Sequence, residues 1–131
     1  MSKKRRAAIG ATAVATAVAS LLVAAPAANA DSSGRNGGIV VTARGSGGHV
    51  TNTYATISSL APFTSFYGHY RVFGPDYSSN SPTQQWSGQL IWNVQVHRDY
   101  ANGQQHCAEA WEQQSDGSHK LLGRPCVQNP V

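Results

Sequence analysis

Cys107, Cys126 and five histidines are the residues of this 131-residue chain that could carry covalent, metal or acid–base chemistry. The histidines, His49, His69, His97, His106 and His119, are spread along the chain without the short, regular spacing of a metal-ligand set, and they read as residues on the polar faces of strands. No Gly-x-Ser-x-Gly elbow, His-Glu-x-x-His helix or phosphate-cradling glycine loop occurs. The two cysteines are expected to pair with each other, which removes a nucleophilic thiol. The sequence therefore points to no catalytic residue, no metal and no cofactor.

Two other chemistries fit the residue types. Glu109, Arg124 and His106 could act as base, phosphate clamp and acid in a small ribonuclease-type hydrolase. The recognisable segments of such enzymes are missing, and Glu109 with Arg124 reads equally well as a cross-strand ion pair. The second chemistry is binding. Trp86, Trp92 and Trp111 stand with five tyrosines among many Gln, Asn, Ser and Thr residues. Aromatic faces stack on sugar rings, with amides and hydroxyls to fix orientation, so a glycan or cell-wall polymer is the ligand that this composition suits. Trp111 and the stripe Tyr67, His69 and Arg71 form the candidate binding surface, the alternative for each being core or plain solvated face. An extracellular protein, such as a hydrolase inhibited by the 75–82 loop, is the other class of partner.

These side chains must be positioned by short β-type runs separated by turn clusters: 39–43, 50–58, 66–73, 86–97, 105–114 and 120–128. Their number and spacing predict an all-β fold, a small antiparallel β-sandwich (immunoglobulin-like or similar) of six to seven strands over residues 39–131. Residues 31–38, rich in Ser, Gly and Asn, read as a flexible leader. Period-two alternation puts Phe66, Gly68, Tyr70 and Val72 on one face and Tyr67, His69, Arg71 and Phe73 on the other. In the 86–97 run, Leu90, Trp92, Val94 and Val96 share the apolar side.

Asp116-Gly117 between the last two runs predicts a two-residue type I′ hairpin. Taking those residues as the turn's centre pairs Cys107 with Cys126, Glu109 with Arg124 and Trp111 with Leu122. It also puts Ala108 and Pro125 at a non-hydrogen-bonded site and the cysteines at a hydrogen-bonded one, about 5.5 Å apart at Cα. A disulfide between Cys107 and Cys126 follows, closing a loop of roughly 20 residues and contributing about 3 kcal/mol on the chain-entropy model. Ala108, Ala110, Leu121 and Val127 are expected to face inward.

The first 30 residues explain why the cysteines should be oxidised. Lys3-Lys4-Arg5-Arg6 precedes an uncharged apolar run from Ala7 to Ala25, and Ala28-Asn29-Ala30 is a small-x-small cleavage site. The expectation is a Sec-type signal peptide cut between Ala30 and Asp31, leaving a secreted, extracellular protein with no stable membrane anchor. Four of the ten basic residues lie in that signal; the other six, all from Arg35 onward, face six acidic residues. A mature chain so balanced lacks the clustered cations of a phosphate-tracking surface, which argues against nucleic acid as a partner.

Gly68-His69-Tyr70-Arg71-Val72-Phe73-Gly74-Pro75, Trp86, Cys107-Ala108-Glu109-Ala110-Trp111-Glu112 and Gly123-Arg124-Pro125-Cys126-Val127 together resemble small secreted proteins of Streptomyces and related actinobacteria. The resemblance spans about residues 68–127. It implies a secreted one-disulfide domain and brings no activity or functional residue with it.

Overall fold

The structure is a computed structural model that describes residues 30–129; the expected signal peptide, apart from Ala30, lies outside the described residues. Among the described residues, ten strands form two antiparallel sheets packed face to face, so the fold is a small all-β sandwich. The first sheet runs β1 (Ala30–Asn36), β2 (Ile39–Ser46), β3 (His49–Ile57) and β7 (Trp92–Asp99) in that spatial order. In the second, β4 (Ser65–Phe73) and β8 (Gln105–Gln113) lie side by side at the centre. One edge of β4 carries β5 (Ser78–Asn80) and β6 (Gln84–Ser87); one edge of β8 carries β9 (His119–Gly123) and β10 (Cys126–Gln128). The first three strands form a meander in one sheet, unlike the ABED/CFG strand order of an immunoglobulin domain. The ten strands exceed the expected six to seven because β1 and β5 lie outside the expected runs and the 86–97 and 120–128 runs are each split into two strands.

Residues 31–38 are not a leader. They form β1 and its turn, so the sandwich includes residues ahead of Ile39. Gly37 and Gly38 both take positive φ, 59° and 87°, as a two-residue hairpin turn requires. From this turn β1 runs in unbroken register along β2, Asn36 opposite Ile39 through Asp31 opposite Arg44. An edge strand can be polar, because its backbone pairs on one side only and it owes the core little apolar surface.

The core lies between the sheets and follows the period-two pattern. Ile39, Val41, Ala55 and Ile57 of the first sheet meet Phe66, Tyr70, Val72, Trp86, Ala108 and Ala110 of the second. Ala110 is the cross-strand neighbour of Tyr70, and Ala108 of Val72, so small residues stand beside the larger ones of β4. The Tyr70 ring meets Phe66 and Trp86 edge-on, at centroid distances of 5.2 and 5.0 Å. Trp86 Nε1 donates to the Gly68 carbonyl at 3.1 Å, so this ring enters the core with its polar atom satisfied.

The expected 86–97 strand is two strands in different sheets. The chain turns after Ser87, where the Leu90 amide donates to the Ser87 carbonyl, and crosses to the first sheet. Leu90 therefore leaves the core-facing row and is exposed, as is Ile91, whereas Trp92 and Val94 pack against the core and Val96 is buried.

The last hairpin keeps its pairing near the disulfide and changes it near the turn. Its loop has three residues, 115–117, with Gly117 at φ 86° and Gln114 bonded to Ser118. This pairs Trp111 with Leu121, not Leu122; a bulge then restores the expected phase from Ala110 and Gly123 onward. Leu122 turns inward and Leu121 is exposed, the reverse of the expectation for Leu121. Cys107 still faces Cys126, with Cα atoms 4.1 Å apart, and the two form the disulfide. The site types are exchanged: the Ala108 amide donates to the Pro125 carbonyl at 3.0 Å, and the closely spaced cysteines occupy the non-hydrogen-bonded site.

Candidate functional site

The outer face of the second sheet gathers the chemistry. Alternation turns Tyr67, His69, Arg71 and Phe73 of β4 away from the core, while Phe66, Tyr70 and Val72 point into it. On β8 the same rule turns Cys107, Glu109 and Trp111 outward, because Ala108 and Ala110 fill the core side. The central register then sets Phe73 opposite Cys107, Arg71 opposite Glu109 and His69 opposite Trp111. The four residues of the candidate surface thus share one face on adjoining strands.

Within this face the charged groups are organised around one carboxylate. Glu109 is 6% exposed although it lies on the outer side of the sheet. Arg71 Nη1 donates to its Oε1 at 2.9 Å, and Arg124 Nε stands 3.6 Å from its Oε2. Arg71 Nε also donates to Ser78 Oγ at 3.0 Å. Both guanidinium groups lie over the Phe73 ring, with Cζ 4.2 Å (Arg71) and 5.3 Å (Arg124) from its centroid. Two cations are thereby held close together by a shared anion and a shared aromatic face. Beside them, an open depression of about 560 Å³ is bordered by Phe73, Gly74, Pro75, Gln105, Arg124 and the disulfide.

Further along the sheet, His69 meets His119 edge-on at a ring-centroid distance of 5.4 Å. Partial burial and the proximity of His119 lower the His69 pKa, with Glu109 acting in the opposite direction. Tyr67 is 50% exposed, and Trp111 is half-buried between its two partners, His69 and Leu121.

His106 does not join this site. It is fully buried on the other face of β8, where its Nδ1 lies 2.8 Å from Tyr77 Oη, and it is no polar-face residue. The combination Glu109, Arg124 and His106 is therefore not assembled; His69 and His119 are the histidines on the Glu109 side. Arg71, not Arg124, is the closer partner of Glu109. Phe73 and His119 were not among the sequence candidates for binding. Phe73 was within reach of the same alternation that selected His69 and Arg71, whereas His119 depends on the length of the final loop.

Among the described residues no three or more His, Cys, Asp or Glu side chains are grouped to hold a metal ion. Among the same residues no helix is long and apolar enough to cross a membrane. No protein-family model matches the chain, and searches of curated proteins and of solved structures found no match either.

Proposed function

We propose that the chain is a secreted extracellular protein whose outer sheet face binds a glycan or cell-wall polymer without transforming it. The observation that carries this reading is the convergence of Tyr67, His69, Arg71 and Trp111 on adjoining strands, although β4 and β8 are far apart in sequence. An exposed phenol and a half-buried indole offer flat apolar surface. Imidazole and guanidinium groups beside them supply donors for hydroxyl and acidic oxygens. Export is supported by the signal-like residues 1–30, by the disulfide, and by the resemblance to small actinobacterial secreted proteins. The test is retention of the purified secreted chain on insoluble wall polymers and soluble polysaccharides, with Tyr67→Ala and Trp111→Ala beside it. Retention that both substitutions leave unchanged would overturn the reading. N-terminal sequencing of the secreted chain should begin at Asp31.

One observation favours a second reading, phosphodiester cleavage. Glu109, Arg71 and Arg124 stand on the same face as His69 and His119, so a base, cations for a phosphate and candidate acids share a surface. Both Glu109 oxygens face guanidinium groups, an arrangement that favours a fixed structural carboxylate over a free base, and this places binding first. Cleavage of an RNA oligonucleotide, abolished by Glu109→Gln, would reverse that order. Inhibition through the 75–82 loop has no comparable support: β5 occupies residues 78–80, and Asp76 is tied to Arg98 and Tyr100.

A further inference from the structure

We infer that Arg71 and Arg124, held over Phe73 by Glu109, form an anion-binding subsite for the phosphodiester groups of a polyol-phosphate chain. The inference rests on the binding reading above and gives the polymer its chemistry.

The first support is local charge. On the first sheet and its neighbouring loops, Arg44 is paired with Asp31, His49 with Asp99, and Arg98 with Asp76. On the outer face of the second sheet, Arg71 and Arg124 share the single carboxylate of Glu109. The cluster keeps one unmatched positive charge, and its anion is buried whereas its cations are 38% and 55% exposed at the side chain. Arriving solvent or ligand therefore meets guanidinium, not carboxylate.

The second support is the unused donors. A guanidinium carries five N–H groups. Arg71 uses Nε on Ser78 and Nη1 on Glu109, and Arg124 turns Nε toward Glu109. Among the described residues, the Nη2 group of Arg71 and both Nη groups of Arg124 have no hydrogen-bond partner and remain for a ligand. Holding two long side chains in place costs conformational entropy, which the shared Phe73 ring and Glu109 have already offset in the free protein. Two pre-positioned forks suit a group with two non-bridging oxygens, one for each guanidinium.

The surroundings select the kind of polymer. The depression beside Arg124 is open and bordered by Gly74, Pro75 and Gln105, which gives a flexible polyol chain room to lie along the face. Nucleic acid would require a track of cations, and the described outer face offers one pair.

The experiment uses the purified secreted chain and three probes at low salt: a synthetic poly(glycerol phosphate) oligomer, neutral dextran and a single-stranded RNA of equal charge. The oligomer should bind, and added salt should weaken the complex. Arg124→Gln should weaken it about tenfold, as expected for losing one charge-assisted fork, with the thermal midpoint nearly unchanged. Arg124→Lys should fall between the two, because it keeps charge and loses the fork. Absence of oligomer binding, indifference to Arg124→Gln, or equal Arg124-dependent binding of RNA would each overturn the inference. Dextran retained through Trp111 but untouched by Arg124→Gln, with no oligomer binding, would sink this inference and leave the binding reading standing.

Discussion

The Tyr77 hydroxyl lies 2.8 Å from Nδ1 of His106, and a second contact, 3.0 Å to Thr53 Oγ1, ties it to the opposite sheet. Tyr77 and His106 stack at one end of the sandwich, with the Tyr100 ring edge-on to His106 at 4.7 Å. Burial pushes the Tyr77 phenol up to about 12, so it stays protonated at any working pH.

His106 should make the fold acid-sensitive. Burial lowers its pKa from the ordinary 6.5, while the Asn129 side chain and the Asp76 charge act the other way. The folded protein thus holds the ring neutral at a pH where the unfolded chain takes up a proton. The associated stability is fully present above about pH 6.5 and is lost progressively as pH falls toward the lowered folded value. Thermal midpoints should be level from pH 8 to 7 and decline below 6.5. His106→Gln should flatten that decline, whereas His69→Gln should remove only a minor part, because His69 is shifted the same way on a more exposed face.

The disulfide should be structural. Cys107 and Cys126 are separated by 19 positions, and a loop of that size corresponds to about 3 kcal/mol of chain entropy. The double substitution Cys107→Ala/Cys126→Ala should lower the denaturation midpoint accordingly, and a reductant should do the same to the unmodified chain. A variant as stable as the parent would show that the β8–β10 pairing holds without the bond.

What the sequence disclosed depended on whether the deciding interaction was local. Alternation along 66–73 identified both faces of β4, and the Asp116-Gly117 signal brought Cys107 to Cys126 despite the wrong loop length. A bulge compensated for that length, and no residue pattern along β9 announces a bulge. The 86–97 run looked continuous because Trp92, Val94 and Val96 do alternate; the crossing between sheets at Gly88 is decided by tertiary packing. Gly37-Gly38 was a legible turn signal, masked by the polar composition of β1. The burial of Glu109 was not legible, since it depends on Arg71 from a distant strand.

Strand β1 offers a direct check on its own role. Gly34 packs so closely on the second sheet that an added Cβ would run into the Cys126 carbonyl, and Arg124 N–H donates to Asn36 Oδ1 at 3.0 Å. Gly34→Val should therefore destabilise the domain by about 1–3 kcal/mol, the usual cost of overpacking. Ser32→Val, on the same strand, should cost far less. Equal tolerance of both in chemical denaturation would mean that residues 31–36 do not dock as described.

Trp111 separates binding from stability most cleanly. Complete truncation of a buried tryptophan costs roughly 3–5 kcal/mol. The indole here is half-buried, with His69 and Leu121 as cross-strand neighbours and the core on the far side of the sheet. Trp111→Ala should accordingly lose about 1–2 kcal/mol, a portion of that core value, and Tyr67→Ala, at a residue 50% exposed, should lose little. If the outer face is the binding surface, both variants should lose retention on the polymer, including Tyr67→Ala, whose fold is intact. A loss near 4 kcal/mol in Trp111→Ala, together with normal retention of Tyr67→Ala, would make the indole a packing residue and move the binding surface elsewhere.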